Sequence, residues 1–327
     1  MSNVKSFIIH HGLHDIALKC YRFIKAVGTY LWLLSLNIFL RPFLRRPKYK
    51  KKYKIAICGI FKNEAPFLKE WIEFHEMIGV EHFYLYNNYS DDTFLEVLQP
   101  YIERGIVTLT DWPFDQAQMK AYKHFYETYR HETQWVSFLD LDEFFCPKGE
   151  VFLIDWLKRH DKYPVLLCYW RMFGTSNVLQ HDYSKLCIEQ YFVSWKYYDK
   201  CGKCLVNTDY DIARFDSSTH HETTVIFKIL GIPFRVGPAN ALGRFVKDQF
   251  HFSDERKCDK MDIQINHYWT KGWDVYSKKR QLTDVYFKEN PKKDLEYFFY
   301  HENKNVACDY TIFRYLIRLK IKMHSIC

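Results

Sequence analysis

From Lys54 onward the chain alternates two kinds of apolar pattern. Short unbroken runs, Ile55–Phe61 (IAICGIF), His82–Tyr86 (HFYLY) and Ile106–Thr110, have the length and the β-branched or aromatic content of buried strands. Between them lie segments whose apolar residues recur at helical spacing. The first, PFLKEWIEFHEMIG, opens at Pro66, sets Phe67, Trp71, Phe74 and Ile78 on one face and stops at Gly79. Proline in the first turn and glycine after the last are what helix ends accommodate best. The second, TFLEVLQPYIERG, has an acidic cap at Asp91 or Asp92 and a stop at Gly105, with Pro100 expected to bend it. A more polar helix follows from about Gln116 to Tyr129. Strand and helix in alternation predict βαβ units, hence an α/β fold with a mostly parallel, Rossmann-like sheet flanked by helices.

The next run matters most: Trp135-Val136-Ser137-Phe138-Leu139-Asp140-Leu141-Asp142-Glu143-Phe144-Phe145. It predicts a fourth buried strand that ends in two carboxylates one residue apart, with a third directly after. Ligands of open α/β sheets bind beyond the carboxyl ends of the strands, where these acids emerge. Asp140 and Asp142 can then reach one hard cation, Mg²⁺ or Mn²⁺, of the kind that holds substrate phosphates.

Further on, a helix is expected over roughly Val151–His160 and a strand over Val165–Trp170. Between 180 and 260 the alternation weakens. Short strands such as IEQYFVSW and KCLVN stand among loops rich in Asp, Ser, Thr and His, which suits the substrate-facing half of the same domain. Asp262–Trp269 (DIQINHYW) is a late strand. The tail, Thr311–Met323, places Ile312, Leu316, Leu319 and Met323 at helical spacing among four cations and is open to reading as a second membrane-surface helix.

The N-terminal region has a different pattern. Ala26–Leu40 is apolar but shorter than the roughly 20 residues of a comfortable membrane span. Lys19, Arg22 and Lys25 precede it, and residues 41–54, RPFLRRPKYKKKYK, carry eight cations and no acid. An interfacial helix reinforced by a polybasic patch is expected, because two weak signals together anchor stably. The expected organisation is a membrane-associated segment at 1–53, a catalytic domain at 54–285 and a basic helical tail at 286–327.

Composition adds little to fold but narrows partners. With 48% hydrophobic and 26% charged residues in 327, the chain can bury a large core. Much of the net charge of +8 is local to the basic run, which points to a membrane surface and not to nucleic acid. The ten cysteines are scattered, and Cys201-Gly-Lys-Cys204 has no second pair to complete a zinc site, so reduced thiols are expected.

Taken together, FKNEAPFLKEWIEFHEMIGVEHFYLYNNYSDD (61–92), Gln118, WVSFLDLDEFF (135–145), WRMFG (170–174), KCLVN (203–207), a histidine at 220 or 221 and INHYWTKGWDVYSKK (265–279) resemble glycosyltransferases of the GT-A fold. The resemblance is specifically to family 92 with its bacterial relatives near family 2, and it covers about residues 54–280. It implies that Asp140 and Asp142 hold a donor diphosphate through Mn²⁺ or Mg²⁺. By the same resemblance Asn63 and Glu64 lie against the nucleoside, Asn87, Asn88 and Asp92 lie where relatives contact the base, His267 completes the metal shell or touches the phosphates, and Lys271 meets the diphosphate. An inverting enzyme also needs a carboxylate base, for which Glu143, Asp182, Glu189 and Glu222 are candidates. Implied partners are a UDP-hexose donor, galactose foremost, and a glycan or lipid-linked acceptor. The expected location is the cytoplasmic face of the cell membrane, with a Golgi membrane as runner-up. A haloacid-dehalogenase-type phosphohydrolase is a competing reading, but it wants Thr or Val where this chain has Phe144. A non-catalytic carbohydrate-binding protein is another, against which the intact motifs count.

Overall fold

A computed structural model describes residues 13–40, 50–216, 221–246, 260–281 and 293–324. The chain starts with helix α1 (Leu13–Ser35), which continues into a π-helical turn at Leu36–Leu40. Then come β1 (Tyr53–Phe61), α2 (Ala65–Met77), β2 (His82–Asn87), α3 (Phe94–Glu103), β3 (Val107–Asp111), α4 (Gln118–Tyr129) and β4 (Thr133–Phe138). These four strands pair in parallel in the order β3-β2-β1-β4, as the alternating pattern predicts. β1 is buried from Ile55 to Phe61, which explains its continuous apolar run: a parallel strand covered on both faces has no polar side to show. Gly59 lets the chain after β4 come close, since a Cβ there would stand 3.0 Å from the Leu139 carbonyl oxygen.

The sheet goes on through strands of mixed direction. β5 (Glu143–Pro147), helix α5 (Leu153–His160) and β6 (Val165–Met172) follow β4, and further along come helix α6 (Cys187–Gln190), β7 (Val193–Trp195) and β8 (Gly202–Asn207). A small sheet of β9 (Asp211–Ile212), β10 (Val225–Ile229) and β11 (Ile232–Val236) precedes β12 (Ala239–Asn240) and β13 (Ile263–His267). β8 lies antiparallel between β4 and β6; β13 is parallel to β6 and antiparallel to β5. The whole is a nine-stranded, mostly parallel sheet flanked by helices.

Two segments differ from their sequence patterns. Glu143–Pro147 leads to no helix directly but turns back as β5, so the acids sit in a tight β4–β5 connection. IEQYFVSW begins as a helix, because the fully buried Glu70 of α2 accepts the N–H groups of Cys187 and Ile188 at 2.8 and 3.0 Å. A carboxyl group 117 residues away holds that conformation, and no local pattern contains it.

After α7 (Trp273–Lys279) and α8 (Leu295–Glu302), β14 (Asn305–Cys308) pairs with β7, and a 3₁₀ turn at Thr311–Tyr315 leads into α9 (Leu316–His324). This tail is helical and docks on α2. Ile312, Tyr315 and Leu319 are buried, the Tyr315 hydroxyl donates to the Pro147 carbonyl at 2.8 Å, Lys320 pairs with Glu189 at 2.6 Å, and Lys322 pairs with Glu73 and Glu76. On α1, by contrast, Ile16, Tyr21, Phe23, Ile24 and Leu31 are exposed, as are Ile38 and Phe39 after it. No described helix is long and apolar enough to cross a membrane. Most of the basic run, residues 41–49, lies outside the described residues.

If α9 is an integral part of the packing, Leu319→Ala should lower unfolding free energy by about 2–4 kcal/mol in urea, the range for a buried leucine truncation. A change within about 0.5 kcal/mol would show that the tail contributes no core.

Candidate active site

The β4–β5 connection delivers three carboxylates to different partners. Asp140 is half-exposed. Its Oδ1 accepts from Gln118 Nε2 at 3.2 Å and the Tyr122 hydroxyl at 3.4 Å, both on α4, and its Oδ2 lies 2.9 Å from Lys203 Nζ on β8. Glu143 is fully buried; its Oε2 accepts the Asp140 N–H at 3.1 Å and stands 3.6 Å from Lys203. Asp142 faces the other way, with Oδ2 3.2 Å from Lys279 Nζ and Oδ1 3.5 Å from His267 Nε2.

His267 arrives by register. It sits opposite Glu143 in the antiparallel β13–β5 pair, and the Tyr268 N–H donates to the Asp142 carbonyl at 2.8 Å. Its Nδ1 is 4.0 Å from Glu143 Oε1, and both atoms are buried without a hydrogen-bond partner among the described residues. Asp142, Glu143 and His267 each offer one ligand atom within 4.8 Å of the others. That spacing and the two orphaned atoms fit a divalent cation, and a nitrogen-plus-oxygen donor set suits Mn²⁺ better than Mg²⁺. The two aspartates expected to share a cation are thus divided: Asp142 joins Glu143 and His267, while Asp140 engages Lys203.

The charges are coupled. Burial works against ionised Asp142, but Lys279 and His267 outweigh it and hold the carboxyl well below the usual range. Glu64 is likewise opposed by burial yet held low by Lys271 at 3.4 Å and Lys279 at 2.9 Å. Glu143 goes the opposite way: burial pushes it well up, beyond what Lys203 offsets. Lys203 has no solvent exposure, and Asp140 and Glu143 together hold it charged against burial.

The remaining sequence-nominated residues build the rim. Asn63 adopts the left-handed region at φ 55°, receives the Asp91 N–H on Oδ1 at 2.9 Å and donates its own N–H to Ser90 Oγ, clasping the ends of β1 and β2. Asn88 is buried, with Nδ2 donating to the Trp112 and Phe114 carbonyls. Asn87 donates to Asp111 at 3.0 Å. Asp92 accepts the N–H of Ala65 at 2.8 Å and so caps α2. Each of these side chains already serves loop architecture. Lys271 is buried at φ 52°, with Nζ 4.1 Å from the Phe67 ring centroid. A left-handed non-glycine residue costs about 1–3 kcal/mol and persists only where its surroundings over-determine it.

On the far side, His221 Nδ1 contacts the Gly202 carbonyl at 3.0 Å, and its ring meets Trp170 edge-on at 4.9 Å. Burial, and then Lys203, push the His221 imidazole down to about 4. His220 lies outside the described residues. Glu222 is partly buried, and its charge adds to the burial that raises the Cys204 thiol to about 12.

Sequence reasoning assigned no role to Lys203 or Lys279. The signal for Lys203 was present: a lone cation one residue into the apolar run GKCLVN, where strand alternation turns it to a single face. Lys279 ends a short helix among other lysines and carries no such mark.

The chain belongs to glycosyltransferase family 92, whose family model matches residues 51–309. A family 92 protein of Oryza sativa subsp. japonica is 35% identical over 124 residues, covering 36% of this chain and 21% of that protein. Galactan beta-1,4-galactosyltransferase GALS3 of Arabidopsis thaliana is 37% identical over 112 residues, covering 30% of this chain and 22% of the relative. The matches thus span about a fifth of the length of these curated relatives. Among solved structures, S. aureus TarS 1-349 aligns at a TM-score of 0.34 and 11% identity over 47% of each chain.

Removing Lys203 should leave two carboxylates without their buried cation. Lys203→Met is expected to cost about 3–5 kcal/mol, the usual penalty for breaking a buried pair from one side. Adding Asp140→Asn should restore a substantial part of it in a double-mutant cycle. Strict additivity of the two changes in denaturant titrations would contradict the coupling.

Proposed function

We propose that this chain is a divalent-metal-dependent glycosyltransferase that moves a hexose, galactose foremost, from a UDP-sugar to a glycan or lipid-linked acceptor in surface-polysaccharide synthesis, with inversion. The observation that carries this is the convergence of Asp142, Glu143 and His267 with the lysine pair 271 and 279 at one sheet edge. Family membership supports transfer chemistry, and the galactosyltransferase name of GALS3 supports galactose.

Asp142, Glu143 and His267 would hold the cation, and when bound it would neutralise charge on the departing diphosphate. Lys271 and Lys279 bring positive charge to the same place, anchored by Glu64 and Asp142, so the site can accept an anion without reorganising its own dipoles. Glu143 must lose its proton to act as a ligand. Its buried position favours the neutral form, so metal affinity rises with pH. The base is assigned by elimination. Glu143 sits inside the metal cluster, Asp182 is bonded by Ser184 Oγ at 2.6 Å, and Glu189 is paired with Lys320. Glu222, which follows His221 in the chain, whose ring meets Trp170, is the base we assign.

The proposal includes a membrane surface, on the cytoplasmic face. It is supported by exposed apolar side chains along α1, with Lys19 and Lys25 on the same helix and the basic run 41–54 after it.

Two outcomes test this. Asp142→Asn keeps the side-chain shape and removes the charge, so UDP-galactose turnover should fall about 10²-fold or more, a loss of several kcal/mol of transition-state stabilisation. Full turnover in excess EDTA would end the metal-dependent account. Deleting residues 1–50 should release the protein from anionic vesicles, and salt should weaken binding of the intact chain as charge is screened over about 10 Å at 0.1 M. Salt-resistant pelleting that yields only to detergent would favour an embedded anchor instead.

A further inference from the structure

The small sheet ends in a hairpin that carries apolar side chains out of the core. β10 and β11 pair so that Val225 faces Val236 and Ile229 faces Ile232, while Ile226 lies opposite Arg235 and Lys228 opposite Pro233. Side chains alternate along a strand, and directly opposed residues share a face. Ile229, Ile232, Phe234 and Val236 therefore belong to one side of the hairpin, and Lys228 and Arg235 to the other. At its root the apolar side is core, since Val225 and Val236 have no solvent exposure. Cover then runs out: Phe234 is 37% exposed, Ile232 59% and Leu230, in the turn, 97%. A lone exposed leucine is ordinary, but a row that continues the core into solvent calls for a partner.

The turn is a second anomaly. Leu230 at φ 51° and Gly231 at φ 83° are both left-handed, as a two-residue hairpin of the I′ kind requires. Asn, Asp or Gly suits the first of these positions. Leucine is disfavoured there by its backbone and, at the tip, by water as well. Apolar surroundings would remove the second objection.

Charge selects those surroundings. From Thr223 to Lys247 the chain has four cations, Lys228, Arg235, Arg244 and Lys247, and no acid. Lys228 and Arg235 are exposed on the hairpin itself. An apolar tip with cations set back from it matches a bilayer, whose acyl region lies beneath anionic headgroups. A second copy of the chain fits worse, because it would bring like charges together. β11 is also an edge strand carrying Pro233 and Arg235, residues that oppose strand pairing with another chain.

We infer that the β10–β11 hairpin is a membrane contact of the catalytic domain. Leu230, Ile232 and Phe234 enter the headgroup–acyl boundary of an anionic bilayer, and Lys228 and Arg235 meet its headgroups. The inference rests on the membrane-surface proposal above and adds a contact separate in sequence from α1 and the basic run. β10 begins three residues after Glu222. A docked hairpin thus holds that end of the site near the bilayer, where a lipid-linked acceptor presents its saccharide.

The test is sedimentation of the full chain with vesicles of equimolar phosphatidylcholine and phosphatidylglycerol, beside a thermal melt of each protein in buffer. Leu230→Asn puts a preferred residue into the turn, so its melting midpoint should equal or exceed that of the wild type while vesicle affinity falls several-fold. Leu230→Asp combined with Ile232→Asp should lower affinity at least about tenfold, because two apolar side chains no longer transfer and two anions face the headgroups. Equal affinity of the wild type and both variants would overturn the hairpin contact and leave the membrane reading to α1 and the basic run. No vesicle binding by the wild type would overturn both. A dimer in lipid-free solution that Leu230→Asn dissolves, with vesicle affinity unchanged, would assign the hairpin to a second copy and overturn the inference likewise.

Discussion

The site is built on Lys203, a cation with no solvent exposure placed between Asp140 and Glu143. Its contact with Asp140 at 2.9 Å gives a gross attraction of about 6 kcal/mol at an effective dielectric near 20. Desolvation of each ion costs several kcal/mol, so the pair contributes little net stability. Its consequence is geometric. Lys203 draws Asp140 towards β8, and with the Asp140 N–H bonded to Glu143 the β4–β5 turn can close only one way. Asp142 is then directed to the opposite side, where His267 and Lys279 stand. Four carboxylates and three lysines meet here; pairing holds Asp142, Glu64, Lys203 and Lys279 charged against burial, whereas burial prevails at Glu143.

Much of this was legible in the chain. The βαβ half could be read because strands covered on both faces need continuous apolar runs, and their helices carry Pro66, Gly79 and Gly105 at their ends. The convergence of the first, second and fourth strand ends follows from parallel topology alone. His267 belongs to the same class, since a late strand added to the sheet brings its end to that edge.

What was hidden depends on contacts distant in sequence. That Glu143 opens a strand, and faces His267 across it, is set by pairing with β13 more than a hundred residues later. The division of Asp140 from Asp142 depends on Lys203, whose strand runs antiparallel to its neighbours. Asn63, Asn88 and Asp92 illustrate the reverse. Their motif positions suggested ligand contact, but their side chains tie loop backbone together, which spacing cannot distinguish from binding. A second aromatic cluster around Trp269 was invisible for a similar reason: its rings come from β6, β7, the segment after β13, α7 and α8.

The central claim is that His267 and the buried carboxylates form one metal centre facing a nucleotide diphosphate. Pulsed electron paramagnetic resonance of the full chain with one equivalent of Mn²⁺ and UDP tests it most directly. The account predicts a ¹⁴N coupling from one imidazole together with ³¹P couplings from the diphosphate, with the nitrogen signal lost in His267→Gln while the phosphorus signal remains. A bound Mn²⁺ that shows phosphorus but no nitrogen coupling in the wild-type protein would contradict it.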